Sequence, residues 1–204
     1  MIKEQIPDII VGRLPRYLRT LLILRETQTT TNSKELGKRL GYSAAQIRKD
    51  LSQYGEFGKQ GTGYNIDFLI DSLNHILNTD RNWDILLVGV GQLGHAILNY
   101  TGFSKFGFHI RAAVDINPNV IGKKFNTCVV QDIGKMKEII EENQIQIAML
   151  AVPAENAQET AEKLVEAGIK AILSYAPTTL SLPPEIRVEY TDPLISLQHM
   201  TYYL

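Results

Sequence analysis

The sequence lacks most of the features that mark secreted, membrane and metal-binding proteins. It contains one cysteine, Cys128, so no internal disulfide is predicted, and we expect a reducing, cytoplasmic environment in which the thiol is buried in a structural role. No apolar run approaches the roughly 18 residues that a membrane helix needs, and acids interrupt the N-terminal segment, so neither a membrane span nor a signal peptide is predicted. The four histidines lack metal-ligand spacing and an obvious carboxylate partner, so we expect no metal site.

Neither sign of charge dominates the whole chain, whose formal net charge is −1. The distribution is uneven, however, because residues 1–60 contain eleven Lys or Arg against six Asp or Glu, whereas residues 61–204 contain ten against sixteen. A basic first third followed by an acidic remainder indicates two modules with different partners.

The first module has the pattern of three short helices followed by a hairpin. Leucines recur at helical spacing over residues 15–25. A second helix is predicted to start at Asn32 and a third at Ser43, each with the Glu or Gln of a capping box three residues later, at Glu35 and Gln46. A short glycine-containing turn separates the last two helices, and this arrangement predicts a helix-turn-helix.

The exposed face of the third predicted helix favours DNA binding. With Ile47 and Leu51 directed inward, small residues and two cations share the opposite face and are expected to approach the bases and phosphates of a groove. Residues 54–64 contain four glycines and predict the wing of a winged helix. The alternative is a three-helix bundle with a solvated charged face. The predicted DNA-contacting residues are Ser43, Ala45, Gln46, Arg48, Lys49, Ser52, Tyr54, Lys59, Gln60 and Gly61.

The second module begins with the pattern of a dinucleotide-binding fold. An apolar run at residues 85–88, typical of a parallel strand buried on both faces, leads into a Gly-x-Gly-x-x-Gly motif and a helix over residues 93–100. A second strand over residues 110–114 ends in Asp115, 21 residues after the last glycine, where an acid would bind ribose hydroxyls and disfavour NADP. The alternative is a glycine motif that only packs helix on strand. Residues predicted to bind the cofactor from this motif and its surroundings are Gly89, Val90, Gly91, Gln92, Leu93, Gly94 and Asp115.

The rest of the chain alternates between helices and strands. We predict helices over residues 132–143 and 155–167, strands over residues 145–152 and 171–174, and an amphipathic tail helix over residues 192–204. Val152 and Pro153 follow a strand, where open parallel sheets bind ligands, although ordinary helix-entry chemistry explains them equally well. The tail helix must pack on its own sheet or on a second copy.

The predicted fold class is therefore α/β. An N-terminal winged-helix DNA-binding domain (residues 1–80) precedes a Rossmann-type parallel-sheet dinucleotide-binding domain (81–191) and a C-terminal helix (192–204). Little chain remains for a substrate pocket or a proton donor, so no catalytic residues and no enzymatic activity are expected. Two alternatives stay open: a small oxidoreductase with a DNA-binding arm, and a binding module for another adenine ligand such as coenzyme A.

The order of motifs along nearly the whole chain resembles the Rex family of redox-sensing transcriptional repressors. The motifs that carry this resemblance are Arg13-Leu-Pro-Arg-Tyr-Leu-Arg19, Arg48-Lys-Asp-Leu-Ser52, Gly61-Thr-Gly-Tyr64, Gly89-Val-Gly-Gln-Leu-Gly94, Val114-Asp-Ile-Asn-Pro118, Ala151-Val-Pro153, Ala157-Gln158, Ala167-Gly-Ile-Lys-Ala-Ile-Leu173 and Ala176-Pro177.

The resemblance implies a homodimer with exchanged C-terminal helices that binds inverted-repeat operator DNA with NAD+ and leaves it when NADH binds. It also implies that Arg19, Tyr100 and Asp192 form an allosteric switch. Asp192 would pair either with the partner's Arg19 or with Tyr100, depending on the redox state of the cofactor. Tyr100 is therefore also predicted to be a cofactor-binding residue. The chain departs from the family's usual residues at Ser174-Tyr175 and at Pro193, and the resemblance implies that these positions lie near the nicotinamide.

Overall fold

The computed structural model describes residues 6–57, 63–126 and 128–204. The chain forms two units, residues 1–81 and residues 82–204. In the described part of the first unit, two-residue strands pair antiparallel and connect helices of four to twelve residues. The elements in chain order are α1 (Asp8–Val11), α2 (Leu14–Arg25), β1 (Thr30–Thr31), α3 (Ser33–Leu40), α4 (Ala44–Ser52), β2 (Tyr64–Asn65) and α5 (Ile66–Ile76).

Polar caps set the starts of α3 and α4, but the predicted capping boxes are only half formed. The Asn32 side chain accepts hydrogen bonds from the N–H groups of Lys34 and Glu35, and Ser43 accepts one from Gln46. The return bonds predicted from Glu35 and Gln46 were wrong. Glu35 instead accepts from Gln28 and Thr31 across the start of α3, and Gln46 donates along α4 to Asp50.

The core of the first unit is assembled from four helices. Most of the predicted inward residues of α2, α3 and α4 are buried, among them Leu14, Leu36 and Ile47, which are fully inaccessible to solvent. Leu22 and Leu40 are only half-buried and pack against this core. Helix α5 completes this core with Ile66 and Leu73 and so belongs to the first unit.

The second unit contains a doubly wound sheet. Among the described residues, seven strands lie in the order β5-β6-β4-β3-β7-β8-β9, and every neighbouring pair is parallel except β5 and β6. Without β5 this is the 3-2-1-4-5-6 order of the Rossmann fold, which reverses direction between β3 and β7. The elements are β3 (Trp83–Val88), α6 (Gln92–Asn99), β4 (Phe108–Asp115), β5 (Lys124–Phe125), β6 (Cys128–Asp132), α7 (Met136–Asn143), β7 (Ile147–Leu150), α8 (Ala154–Glu166), β8 (Ala171–Ser174), β9 (Arg187–Tyr190) and α9 (Pro193–Thr201).

Both faces of this sheet are covered. Alternate residues of β3 enter opposite cores: Leu86 and Val88 pack with α7 and α8, and Ile85 and Leu87 pack with α6. The prediction that this strand is buried on both faces is confirmed. No helix in the described ranges is long and apolar enough to cross a membrane.

Several predicted boundaries in the second unit need correction. The strand predicted for residues 145–152 spans only Ile147–Leu150, because Ile145 closes α7 and residue 151 begins the loop. The helix predicted from residue 132 begins with a 3₁₀ turn (Ile133–Lys135). Strands β6 and β9 were not predicted.

The C-terminal helix α9 has no buried residue. Its apolar side chains are exposed all around the helix, so the alternative in which the tail folds onto its own sheet is wrong for this structure. The exposed apolar residues between the start of α9 and the end of the chain are Leu194, Ile195, Leu197, Met200, Tyr202, Tyr203 and Leu204.

Candidate nucleotide-binding and DNA-binding sites

The glycine motif forms the tight connection from β3 into α6. Gly89 has a φ of +93°, and a Cβ there would overlap the carbonyl oxygen of Ala151, so only glycine fits. A Cβ on Gly94 would overlap the carbonyl oxygen of Gly89, so this glycine lets the helix pack against the loop. Apart from Gly91 itself and its two chain neighbours, no described residue has an atom within 4 Å of a Cβ built on Gly91. The middle glycine therefore borders open space of the kind that a pyrophosphate needs.

The start of α6 supplies donors to this space. None of the described side chains caps the helix at Gly91, and the side chains of Gln92 and Leu93 are exposed. The first N–H groups of a helix have no intrahelical acceptor, and they attract anions together with the helix dipole. Val152 and Pro153 follow β7 at the same edge of the sheet, beside the point where the strand order reverses.

Asp115 lies at the end of β4 and is joined to the glycine loop. Its Oδ2 accepts a hydrogen bond from the N–H of Val90 at 2.5 Å, and its Oδ1 accepts one from the N–H of Asn117 at 2.7 Å. A carboxylate offers about four acceptor sites. Two backbone bonds therefore hold the group in place and leave capacity for the hydroxyl groups of a ribose.

Tyr100 lies at the other end of α6 from the glycine loop. The helix separates the two by about 12 Å along its axis, at 1.5 Å per residue. The Tyr100 ring is 60% exposed and meets Phe103 edge-on, with the ring centroids 4.9 Å apart. It also borders a cavity of about 220 Å³ that is lined in part by Phe125 and Cys128. Cys128 is buried as predicted, and burial raises the pKa of its thiol.

The other two predicted switch residues lie in different units. Arg19 is exposed on α2 in the first unit. Asp192 is half-buried and caps α9, because its Oδ1 accepts a hydrogen bond from the N–H of Leu194 at 2.8 Å.

The predicted DNA-contacting face of α4 is exposed. Ala45, Arg48, Lys49 and Ser52 all lie at the surface. Arg48 is also oriented, because its Nη1 donates a hydrogen bond to the Oγ of Ser33 at 3.0 Å, which fixes it against the start of α3.

Three predicted contacts in the wing, Lys59, Gln60 and Gly61, lie outside the described residues. Tyr54 is placed differently from what a DNA contact needs. Its hydroxyl is buried and has no hydrogen-bond partner among the described residues, and the ring packs against the first core. Burial raises the pKa of this phenol.

Sequence reasoning missed a buried ionic network that joins α4, which carries the predicted DNA-contacting face, to the start of α2. Asp50 is fully buried and accepts two hydrogen bonds from Arg13, at 2.6 and 2.8 Å, one from Tyr17 at 2.5 Å and one from Gln46 at 2.6 Å. Burial alone would raise the pKa of Asp50, but the bonds from these three residues outweigh it and hold the pKa below its usual range. The sequence did contain a signal, because Asp50 falls on the apolar face of α4 beside Ile47 and Leu51.

One expectation about the histidines needs correction. His75 does have a carboxylate partner, since its Nδ1 lies 2.9 Å from Asp80 on the exposed surface. The ring of His95 packs against Phe125, and its Nε2 is buried with no hydrogen-bond partner in the part of the chain that the structure describes. Within the residues described, no group of three or more His, Cys, Asp or Glu side chains is placed to hold a metal ion.

Comparison with known proteins finds two family models that each match part of the chain. A family model described as "CoA binding domain" matches residues 80–178, and one described as "Putative DNA-binding protein N-terminus" matches residues 5–52. A redox-sensing transcriptional repressor Rex from Chloroflexus aurantiacus is 49% identical over 199 residues, which cover 97% of this chain and 94% of that protein. The Rex of Brevibacillus brevis is 42% identical and covers 98% of both chains.

Two solved structures also match this chain over nearly its whole length. The crystal structure of RSP in complex with β-NAD+ and operator DNA is 39% identical, with a TM-score of 0.92 over 97% of this chain and 92% of that one. The structure of RSP in complex with β-NADH is 37% identical, with a TM-score of 0.90 over 98% and 94%.

A helix-turn-helix unit followed by a Rossmann unit defines a transcription regulator controlled by a small ligand. Together with the sequence identities over nearly the full length, this shows that the chain belongs to the family of redox-sensing transcriptional repressors Rex. The relatives are named as repressors and not as enzymes, which confirms the prediction of a non-enzymatic function.

Proposed function

We propose that this protein is a homodimeric repressor that binds inverted-repeat operator DNA and is released when NADH binds. One observation carries the proposal: the same chain holds an exposed cationic helix α4 and a glycine loop closed by Asp115. The structures of RSP with β-NAD+ and operator DNA, and with β-NADH, support the same pair of ligands here.

The nucleotide would lie across the carboxyl edge of the sheet. Its pyrophosphate would contact the open space beside Gly91 and the start of α6, and its adenosine ribose would bind Asp115. A 2′-phosphate would face this carboxylate at close range, so NAD(H) is favoured over NADP(H). Because NADH and NAD+ differ only at the nicotinamide ring, the residues that sense the redox state must contact that ring.

Because a family model described as "CoA binding domain" matches residues 80–178, coenzyme A is a second ligand to test. Asp115 opposes it, because the adenosine of coenzyme A carries a 3′-phosphate beside the ribose hydroxyl that the acid would bind. Calorimetry with NADH, NADPH and coenzyme A compares the three directly. We expect NADH to bind most tightly, and tighter binding of coenzyme A would replace the nucleotide assignment.

On the DNA side, α4 would enter the major groove, with Arg48 and Lys49 near bases and phosphates. We assign residues 1–80 to DNA binding, residues 81–191 to nucleotide binding and residues 192–204 to dimer formation. Because the apolar side chains of α9 are exposed on every side, we propose that this helix crosses to a second copy, as the family resemblance implies. A repressor of this kind acts in the cytoplasm, where a single reduced cysteine is also expected to be stable.

The proposed switch is a change of partner by Asp192. In the DNA-bound state Asp192 would pair with Arg19 of the partner subunit and hold the two recognition helices at the spacing of the half-sites. With NADH bound, Asp192 would accept a hydrogen bond from Tyr100 and release Arg19. A ligand shifts such an equilibrium only by its differential affinity for the two states, and coupling of about 1–3 kcal/mol is typical.

A gel shift on an AT-rich inverted-repeat duplex tests the function, with no cofactor, with NAD+ and with NADH. Binding that NADH abolishes supports the proposal, and binding that is insensitive to NADH contradicts it. The same assay tests the switch. Arg19→Ala should weaken DNA binding with little change in NADH affinity, and Tyr100→Phe should remain on DNA at NADH concentrations that release the wild type. If both variants, and Asp192→Ala with them, release DNA as the wild type does, the switch is wrong.

A further inference from the structure

The carboxylate of Asp50 is saturated by donors from two helical segments. Its Oδ1 accepts from Nη2 of Arg13 at 2.8 Å and from Nε2 of Gln46 at 2.6 Å. Its Oδ2 accepts from Nε of Arg13 at 2.6 Å and from the hydroxyl of Tyr17 at 2.5 Å. Arg13 and Tyr17 lie at the start of α2, whereas Gln46 lies in the first turn of α4. The carboxylate therefore fixes α4 against the start of α2. It also holds the side chain of Gln46 against α4 itself.

Stability is a weak reason for this arrangement. Burying a paired charge is costly, and replacing a buried ion pair with apolar side chains of similar volume is often neutral or stabilising. A buried ionic network is better suited to specifying one geometry. Gln46 is the half-buried member of this network on α4. A fixed geometry of its side chain would matter for DNA binding.

The network fixes which way the Gln46 amide points. A carboxylate can only accept hydrogen bonds, so the atom that faces Asp50 must be the amide nitrogen. One N–H is thereby used, and the other N–H and Oε1 remain; Oε1 accepts no hydrogen bond from the residues that the structure describes. Gln46 is the third residue of α4, and the N-terminal residues of a recognition helix are those that contact base edges. A glutamine that offers one donor and one acceptor matches N7 and the N6 amino group of adenine.

We infer that Asp50 is a positioning residue for sequence recognition, which orients the Gln46 amide to read the adenine of one A·T base pair in each operator half-site. Asp50 itself does not touch the DNA. The inference rests on the proposed DNA-binding function and specifies how that function selects its sequence.

Selection from a pool of random duplexes tests the inference with the full-length protein and NAD+. The wild type should enrich an inverted repeat in which one position per half-site depends on Gln46, so that Gln46→Ala loses about tenfold or more discrimination at that position. Asp50→Asn should relax the same position and leave the others, because an amide at residue 50 has one oxygen instead of two to receive the four donors. The double variant should lose no more than either single variant. Asp71→Asn on α5 and Gln53→Ala at the end of α4 are exposed controls and should keep the wild-type preference.

A second measurement needs no variant of Asp50. In the free wild-type protein, the side-chain amide of Gln46 should have an NMR order parameter near that of rigid backbone, about 0.85, whereas that of Gln53 should fall below about 0.6. Equal mobility of the two amides would overturn the inference even if Asp50→Asn does not fold.

The outcomes separate the two proposals. If the wild type enriches no sequence, the proposed DNA-binding function itself fails. If it enriches a sequence but Asp50→Asn keeps full discrimination at the Gln46-dependent position, or weakens every position equally, only the positioning role of Asp50 fails.

Discussion

Asp115, at the end of β4, accepts a hydrogen bond from the backbone N–H of Val90, in the glycine loop that follows β3. The acid that the sequence assigns to the ribose is therefore also a structural part of the loop that would bind the pyrophosphate. In the proposed nucleotide site, Asp115 would position both the ribose and the loop beside the pyrophosphate. Removal of its side chain therefore affects more than one contact.

We expect Asp115→Ala to weaken NADH binding strongly, because it removes the ribose acceptor and leaves the N–H of Val90 without its partner. Asp115→Asn keeps an acceptor for Val90 and removes the charge, so it should lose less affinity and should discriminate less against NADPH. Calorimetry with both nucleotides measures the difference. Preference of the wild type for NADPH would show that Asp115 is not the ribose-binding acid.

Substitution should separate the role of the middle glycine, Gly91, from that of the last glycine, Gly94. Gly91→Val should abolish NADH binding while the melting temperature stays near that of the wild type, because the new side chain enters open space. Gly94→Val should lower the melting temperature, because its Cβ would overlap the carbonyl oxygen of Gly89. Thermal unfolding and calorimetry on both variants test this, and loss of fold in Gly91→Val would show that the space is not open.

The Arg13–Asp50 ion pair should make the first unit sensitive to acid. The pKa of Asp50 is lowered in the folded protein, so its stabilisation is present above the unfolded pKa and is lost as the pH falls through the folded pKa. Arg13→Met leaves a buried carboxylate unpaired and should cost about 3–5 kcal/mol at neutral pH, and less in acid, where Asp50 is protonated.

Hydrogen exchange of the α2 and α4 amides measures this loss within the first unit alone. The exposed Arg16 provides the control, and Arg16→Met should change protection little. Equal protection in the Arg13 and Arg16 variants would contradict the structural role of the ion pair.

Deletion of residues 193–204 should give a monomer or an aggregate that binds operator DNA poorly. Inverted-repeat recognition needs two recognition helices about one turn of DNA apart, or a multiple of that, and a fixed dimer supplies this spacing. Sedimentation and a gel shift check both parts. A stable dimer with full DNA affinity would show that the exposed apolar helix α9 has another role.

The sequence predicts the elements that have strong periodicity or capping residues. Helix α2 was predicted from leucines at helical spacing, and α3 and α4 from their capping residues. Strand β3 was predicted from a continuous apolar run, and the loop after it from the spacing of its glycines. Strand β9 was missed because it is a four-residue edge strand with only one partner, β8, and little buried surface.

The buried network shows a different limit. Asp50 on an apolar helix face indicates that some partner must exist, but Arg13 lies 37 residues away in the chain. Only the packing of α2 on α4 brings the two together. Glu35 and Gln46 also have the spacing of capping boxes, yet other nearby partners compete successfully for both side chains: Gln28 and Thr31 for Glu35, and Asp50 for Gln46.

The central claim is that nucleotide bound at the glycine loop controls DNA binding, and a titration of NADH into preformed protein–duplex complexes tests it most directly. Fluorescence anisotropy of an AT-rich inverted-repeat duplex would follow release from the wild type and from Gly91→Val in parallel. We predict that NADH releases the wild type and that Gly91→Val binds the duplex as tightly as the wild type but stays bound throughout. Release of both proteins at the same NADH concentration, or of neither, would contradict the account.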